Sequence, residues 1–104
     1  DLRRLVPPVE AAAENLTRRG LDADGNGGVV LQKLGQVLMS CADVEQADGR
    51  PADARGLQRK ALQLLVRARP LLQRAMDEGE ANLSELSVIT AMQIGLTEAR
   101  LAAE

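Results

Sequence analysis

The chain has 104 residues, 45% hydrophobic and 27% charged, with a net charge of −2 at pH 7; that balance fits one folded domain with a single core and excludes a disordered tail. It contains no aromatic residue and no histidine, which removes the stacking platforms of single-stranded nucleic-acid binders and the one side chain that titrates near neutral pH without special tuning. Overall acidity argues against nonspecific duplex binding, and no apolar run approaches the ~20 residues of a membrane-spanning helix.

Leu2, Leu5, Val6, Val9, Ala12, Ala13 and Leu16 recur at helical spacing, which predicts a first helix. Pro7 and Pro8 interrupt it, and proline fits the first helical turn, so the helix is expected to start near Pro8 after a lead-in over residues 1–6. Gly20 reads as its C-terminal cap, with Leu21 packing back. Residues 22–28, DADGNGG, are expected to form a polar turn. A second helix follows with Val30, Leu34, Val37, Leu38, Cys41 and Val44 on one stripe, and it ends near Gln46, ahead of the turn Asp48-Gly49-Arg50-Pro51.

The third helix keeps Leu57, Ala61, Leu64, Leu65, Ala68, Leu71, Leu72 and Ala75 in one apolar phase across Pro70. That continuity predicts a kink and not a break. The fourth is expected to begin at Asn82, with Glu85 completing a capping box. Its stripe is Leu83, Leu86, Ile89, Met92, Leu96 and Ala99, widened by Val88, Ala91, Ile94 and Leu101. So wide an apolar surface implies deep burial or a dimer contact. Four such segments with short turns predict an all-α, up-down-up-down four-helix bundle. Asp1 is not preceded by methionine and Glu104 falls inside a helical pattern, which reads as one domain cut from a larger protein.

Charge varies by segment: residues 50–76 carry seven basic residues against Asp53 alone, a net +6, and the flanking segments are acidic. A basic helix between acidic neighbours pairs with them across the bundle surface, and this reading is preferred to a landing strip for phosphates. Asp22, Asp24 and Asn26, followed by Gly27-Gly28-Val29, resemble the opening of an EF-hand loop. Lys33 stands where the closing bidentate glutamate belongs, so a turn is the stronger expectation and a calcium site the weaker. Cys41 lies on the apolar stripe as a small core residue. No nucleophile–base pair, metal cluster or phosphate loop is present, so neither catalysis nor a cofactor is expected.

In an up-down bundle the first and third turns share one end. That end gathers Arg18, Arg19, Lys33 and Arg74 around Leu21, a pattern suited to touching an anionic membrane surface. With its size, its Arg- and Ala-rich, aromatic-free composition and its Arg18-Arg19-Gly20-Leu21 turn, the chain resembles the four-helix-bundle membrane-localisation domains of bacterial toxins and type III secretion effectors, of the BteA-like, lipid-raft-targeting kind. The resemblance covers nearly the whole chain. It implies a virulence-associated targeting module that binds phosphoinositide or other anionic lipid through that tip, at the cytoplasmic face of a host plasma membrane; without it, a cytoplasmic location is expected. The alternative is a protein-interaction bundle, an adaptor, chaperone-binding or homodimerising module that uses the fourth helix against a helical partner. No nucleic-acid partner is expected.

Overall fold

The computed structural model describes residues 2–20 and 24–103, and these are almost entirely helical. A short 3-10 turn, Leu2–Leu5, leads directly into α1, Val6–Arg18. The helix thus begins two residues before Pro8. Both prolines occupy its first turn, where the backbone N–H groups have no intrahelical partner to lose. Gly20 adopts a φ of +69° and its N–H reaches Thr17 O at 3.1 Å, the cap expected from the sequence. Leu21, expected to pack back onto it, lies outside the described residues.

Helix α2, Gly25–Ala47, starts earlier than its glycine-rich opening suggested. The backbone of Asp24 is extended, and its carboxylate accepts the Gly27 N–H at 2.9 Å, meeting one of the donors that a helix start leaves open. Gly27 and Gly28 are buried within the first turns. Tertiary packing explains their tolerance. A methyl group on Gly28 would stand 3.0 Å from Leu71 Cβ and 3.3 Å from Ala68 O, and one on Gly35 would stand 3.0 Å from Leu65. Helix α3, Pro51–Asp77, passes that close because its facing residues are Ala54, Ala61, Ala68 and Ala75, spaced by sevens and all buried. Leu31 and Leu38 of α2 share one core cluster with Ala61, Ala68 and Leu72 of α3, and Leu65 and Leu72 seat against Gly35 and Gly28, the heptad-spaced close approach of an antiparallel coiled coil.

This contact corrects the apolar stripe expected for the second helix. Leu38 and Cys41 are buried as expected, but Leu34, Val37 and Val44 are half-buried, Val30 is 40% exposed, and the innermost residues include Leu31, Gly35 and Ala42. Hydrophobicity pointed to the valines, whereas close packing selects the smallest side chains. Helix α3 runs through Pro70 without interruption. Pro70 and Val66, whose carbonyl loses its helical donor, are both exposed, so water can serve that carbonyl.

A 3-10 turn, Ala81–Leu83, precedes α4, Ser84–Ala102. The expected Asn82–Glu85 capping box is not formed: the cap position is Leu83 and no side chain bonds there. The 3-10 turn takes over instead, with Leu83 N–H bonded to Glu80 O at 3.0 Å, as tight turns do at helix ends.

Direction follows from cross-helix bonds. Lys60 meets Glu10 at 2.8 Å and Arg67 meets Thr17 at 2.6 Å, so α1 and α3 run parallel. Gln32 meets Gln93 at 2.9 Å and Arg100 meets Asp43 at 3.3 Å, so α2 and α4 run parallel. The bundle is therefore up-down-up-down. The α2–α3 pair is its centre, with α1 in one groove, its Ala13 over Leu38 and Leu64, and α4 in the other over Gln32, Met39 and Gln58.

Candidate functional site

The end expected to touch lipid is built from the α1–α2 and α3–α4 turns, which do meet: a methyl group on Gly25 would lie 2.8 Å from Ala75 Cβ and 2.9 Å from Glu80 Oε2. Arg18 pairs with Glu14 one turn back at 2.8 Å, both highly exposed, a pair worth only a few tenths of a kcal/mol. Arg19, Lys33 and Arg74 are exposed. Arg74 borders a shallow cleft of about 370 Å³ shared with Asp24, Asn26, Glu78 and Glu80. Lys33 sits about two turns along α2, on the side facing away from the Gly28–Gly35 edge. The two cations thus stand on different sides of the bundle. Leu21 and Asp22 lie outside the described residues, so neither the apolar centre of the tip nor the first ligand of the EF-like turn is placed.

Of the possible cation ligands, Asp24 is committed to capping α2 and Asn26 lies exposed in the first turn of that helix. Among the described residues no group of three carboxylate, histidine or cysteine side chains converges. The basic segment 50–76 does meet acids of its neighbours: Lys60 of α3 pairs with Glu10, and Arg50, just ahead of α3, with Glu45, a carboxylate nearly buried between Arg50 and Arg3. Cys41 is fully buried. Burial, and then the negative charge of Glu45, push its thiol above the ordinary value of 9.0, the opposite of what a nucleophile needs.

The strongest surface feature is on α4. Its buried side is Ser87, Thr90, Ile94 and Thr97. The hydroxyls of Thr90 and Thr97 bond back to Leu86 O and Gln93 O at 2.7 Å each, satisfying themselves locally. Its outward side carries Val88, Met92 and Leu96, which are 59%, 68% and 51% exposed, with Ile89 at the edge and Gly95 and Ala99 between them. Most of the stripe expected to face the core therefore faces out, and the residues that face in are largely polar. The reason is the partner surface. Helix α4 lies chiefly along α3 and meets Gln32 and Met39 of α2 through Gln93 and Thr97, so its close-packed side takes small hydroxyl-bearing residues in place of larger aliphatic ones. In the sequence, the sign of this arrangement was an apolar surface too wide for one contact.

No protein-family model matches the chain, and no curated protein or solved structure matches it.

Proposed function

We propose that this chain is a non-enzymatic docking module that receives a helix of a partner protein on the outward side of α4. One observation carries this reading: Val88, Met92 and Leu96 are more than half exposed on a helix whose other side is already packed. A contiguous apolar stripe left on the outer side of an already packed helix marks an interaction surface. Outward α1 offers the contrast, because Glu10, Ala11, Glu14, Asn15 and Arg18 give it a polar or small-residue surface.

Docking on anionic lipid through the Arg18–Arg19 end is a separate proposal with less support. The described cations there share the end with Glu14, Asp24, Asp77, Glu78 and Glu80, and opposing charges at close range weaken attraction to an anionic surface. Sedimentation with phosphoinositide vesicles separates the two. Lipid docking requires binding that falls in Arg18→Ala/Arg19→Ala; partner docking requires binding of neither.

The test of the docking reading is a photo-crosslinking residue placed at Met92 and, as a control, at Ala11. The expected result is adducts at position 92 that disappear in Leu96→Glu. Equal adducts at both positions would refute it.

A further inference from the structure

We infer that the crevice where α2, α3 and α4 meet, at the bundle end opposite the Arg18–Arg19 turn, binds a free α-amino acid with a polar side chain. The inference stands independently of the docking reading.

The floor of the crevice is the first argument. Its volume is about 440 Å³, and it is lined by Asp43 and Gln46 of α2, Gln58 of α3, and Arg100 and Ala103 at the end of α4. Gln58 is only 9% exposed, yet its carboxamide bonds to nothing among the described residues. Neither amide atom is sealed from solvent, so the group opens into the crevice. A side-chain amide this deep ordinarily has partners, and an unmet donor and acceptor cost free energy. Further along the α2–α4 interface the same kind of side chain is served, because Gln32 donates to Gln93 at 2.9 Å.

The walls carry opposite charges. Arg100 Nη1 meets Asp43 Oδ1 at 3.3 Å, and the two side chains are 41% and 65% exposed. That contact leaves the second carboxylate oxygen and most guanidinium N–H donors open among the described residues. A net anion gains from Arg100 and loses against Asp43, and a net cation does the reverse. A zwitterion gains at both walls. Its carboxylate accepts from the unused Arg100 donors, while its ammonium donates to Asp43 and to the Gln58 carbonyl oxygen. Helices α2 and α4 run parallel, so both C-terminal poles stand here, and α2 has no basic residue in its last turn. Such poles favour an ammonium group.

These features select among ligand classes. A free α-amino acid carries both charges on one carbon, which suits walls that stand in contact, whereas an internal peptide segment carries neither backbone charge. A nucleobase, the planar partner of a carboxamide, finds no ring to stack on, since the chain has no aromatic residue. Gln46 and the Gln58 amide N–H groups remain for a hydroxyl, amide or carboxylate on the side chain. The volume lies in the range of small-ligand pockets, about 300–1,000 Å³.

The test is titration of the isotope-labelled full chain with the standard α-amino acids, one at a time, following the side-chain amide signals of Gln46 and Gln58 by NMR. Saturable shifts at Gln58 are expected below about 1 mM for one or more polar amino acids. The N-acetyl derivative and the methyl ester of the same amino acid each lack one charge and should bind about tenfold more weakly or worse. Gln58→Met keeps the bulk and should remove binding. Arg100→Gln, at an exposed position, should remove it without disturbing the core.

No saturable shift with any amino acid up to about 10 mM would overturn the proposal and leave the Gln58 amide to water. Equal binding of the acetylated and esterified forms would overturn the zwitterion. Binding that survives Arg100→Gln would overturn the crevice as its site. None of these outcomes moves the Met92 adducts, which report on the docking reading alone.

Discussion

Gln32 is completely buried and donates a hydrogen bond of 2.9 Å to Gln93 across the α2–α4 interface. The same amide nitrogen also donates to Gln36 at 3.2 Å, while the Gln32 carbonyl oxygen meets no hydrogen-bond donor among the described residues. An unmet buried acceptor costs ~1–3 kcal/mol, and exchanging both partners of a buried polar pair for apolar groups of like shape is neutral or stabilising. Gln32→Met/Gln93→Met is therefore expected to equal or exceed the parent by ~1 kcal/mol in urea unfolding. A loss larger than that would show that the amide pair stabilises the bundle.

The glycines of α2 and α4 are expected to respond oppositely to alanine. At Gly35 the new methyl would press on Leu65, itself fully buried, and on Ala61 O at 3.3 Å. Gly35→Ala should destabilise by ~1 kcal/mol or more, despite the helix preference of about that size in its favour. Gly95→Ala meets open space and should stabilise the fold by up to ~1 kcal/mol. Urea midpoints measured side by side check the sign. A stabilising Gly35→Ala would mean that the α2–α3 contact has slack.

Cys41 should be inert to thiol reagents in the folded protein and reactive once it unfolds, because it has no exposed surface. Its folded thiol also holds the proton more tightly than the unfolded one. The stability this contributes is complete below the unfolded value near 9.0 and is lost as pH rises through the higher folded value. The parent should therefore lose stability relative to Cys41→Ala above that pH and not below it. Matching pH profiles would refute the assignment.

Asp24 caps α2 through the Gly27 N–H, so Asp24→Ala should cost ~1 kcal/mol and Asp24→Asn much less. Calcium in millimolar excess should leave the parent Tm unchanged. A calcium-dependent rise that disappears in Asp24→Ala would instead assign this turn to a cation.

Helix number and order were legible in the residues, as were the cap at Gly20 and the turn at Gly49, with φ of +69° and +77°, because these depend on local spacing and on the few residues that tolerate such backbone angles. The starts of α2 and α4 were misread, since glycines before Val29 suggested a loop and Asn82 with Glu85 suggested a cap. The glycines were rescued by a neighbour distant in sequence, and the cap was displaced by a 3-10 turn. The heptad of Ala54, Ala61, Ala68 and Ala75 was present to be read, but small residues carry little hydrophobic signal until a second helix is known to lie against them.

Periodicity determined that four helices form and that the fourth is apolar on too many sides for one contact. Which side of that helix meets the bundle was decided only in three dimensions. Helix α4 lies along α3 and sets Gln93 and Thr97 against Gln32 and Met39 of α2, and that fit outweighs the greater hydrophobicity of Val88, Met92 and Leu96. Burial depends on the shape and polarity of the opposing surface, which no single helix encodes by itself.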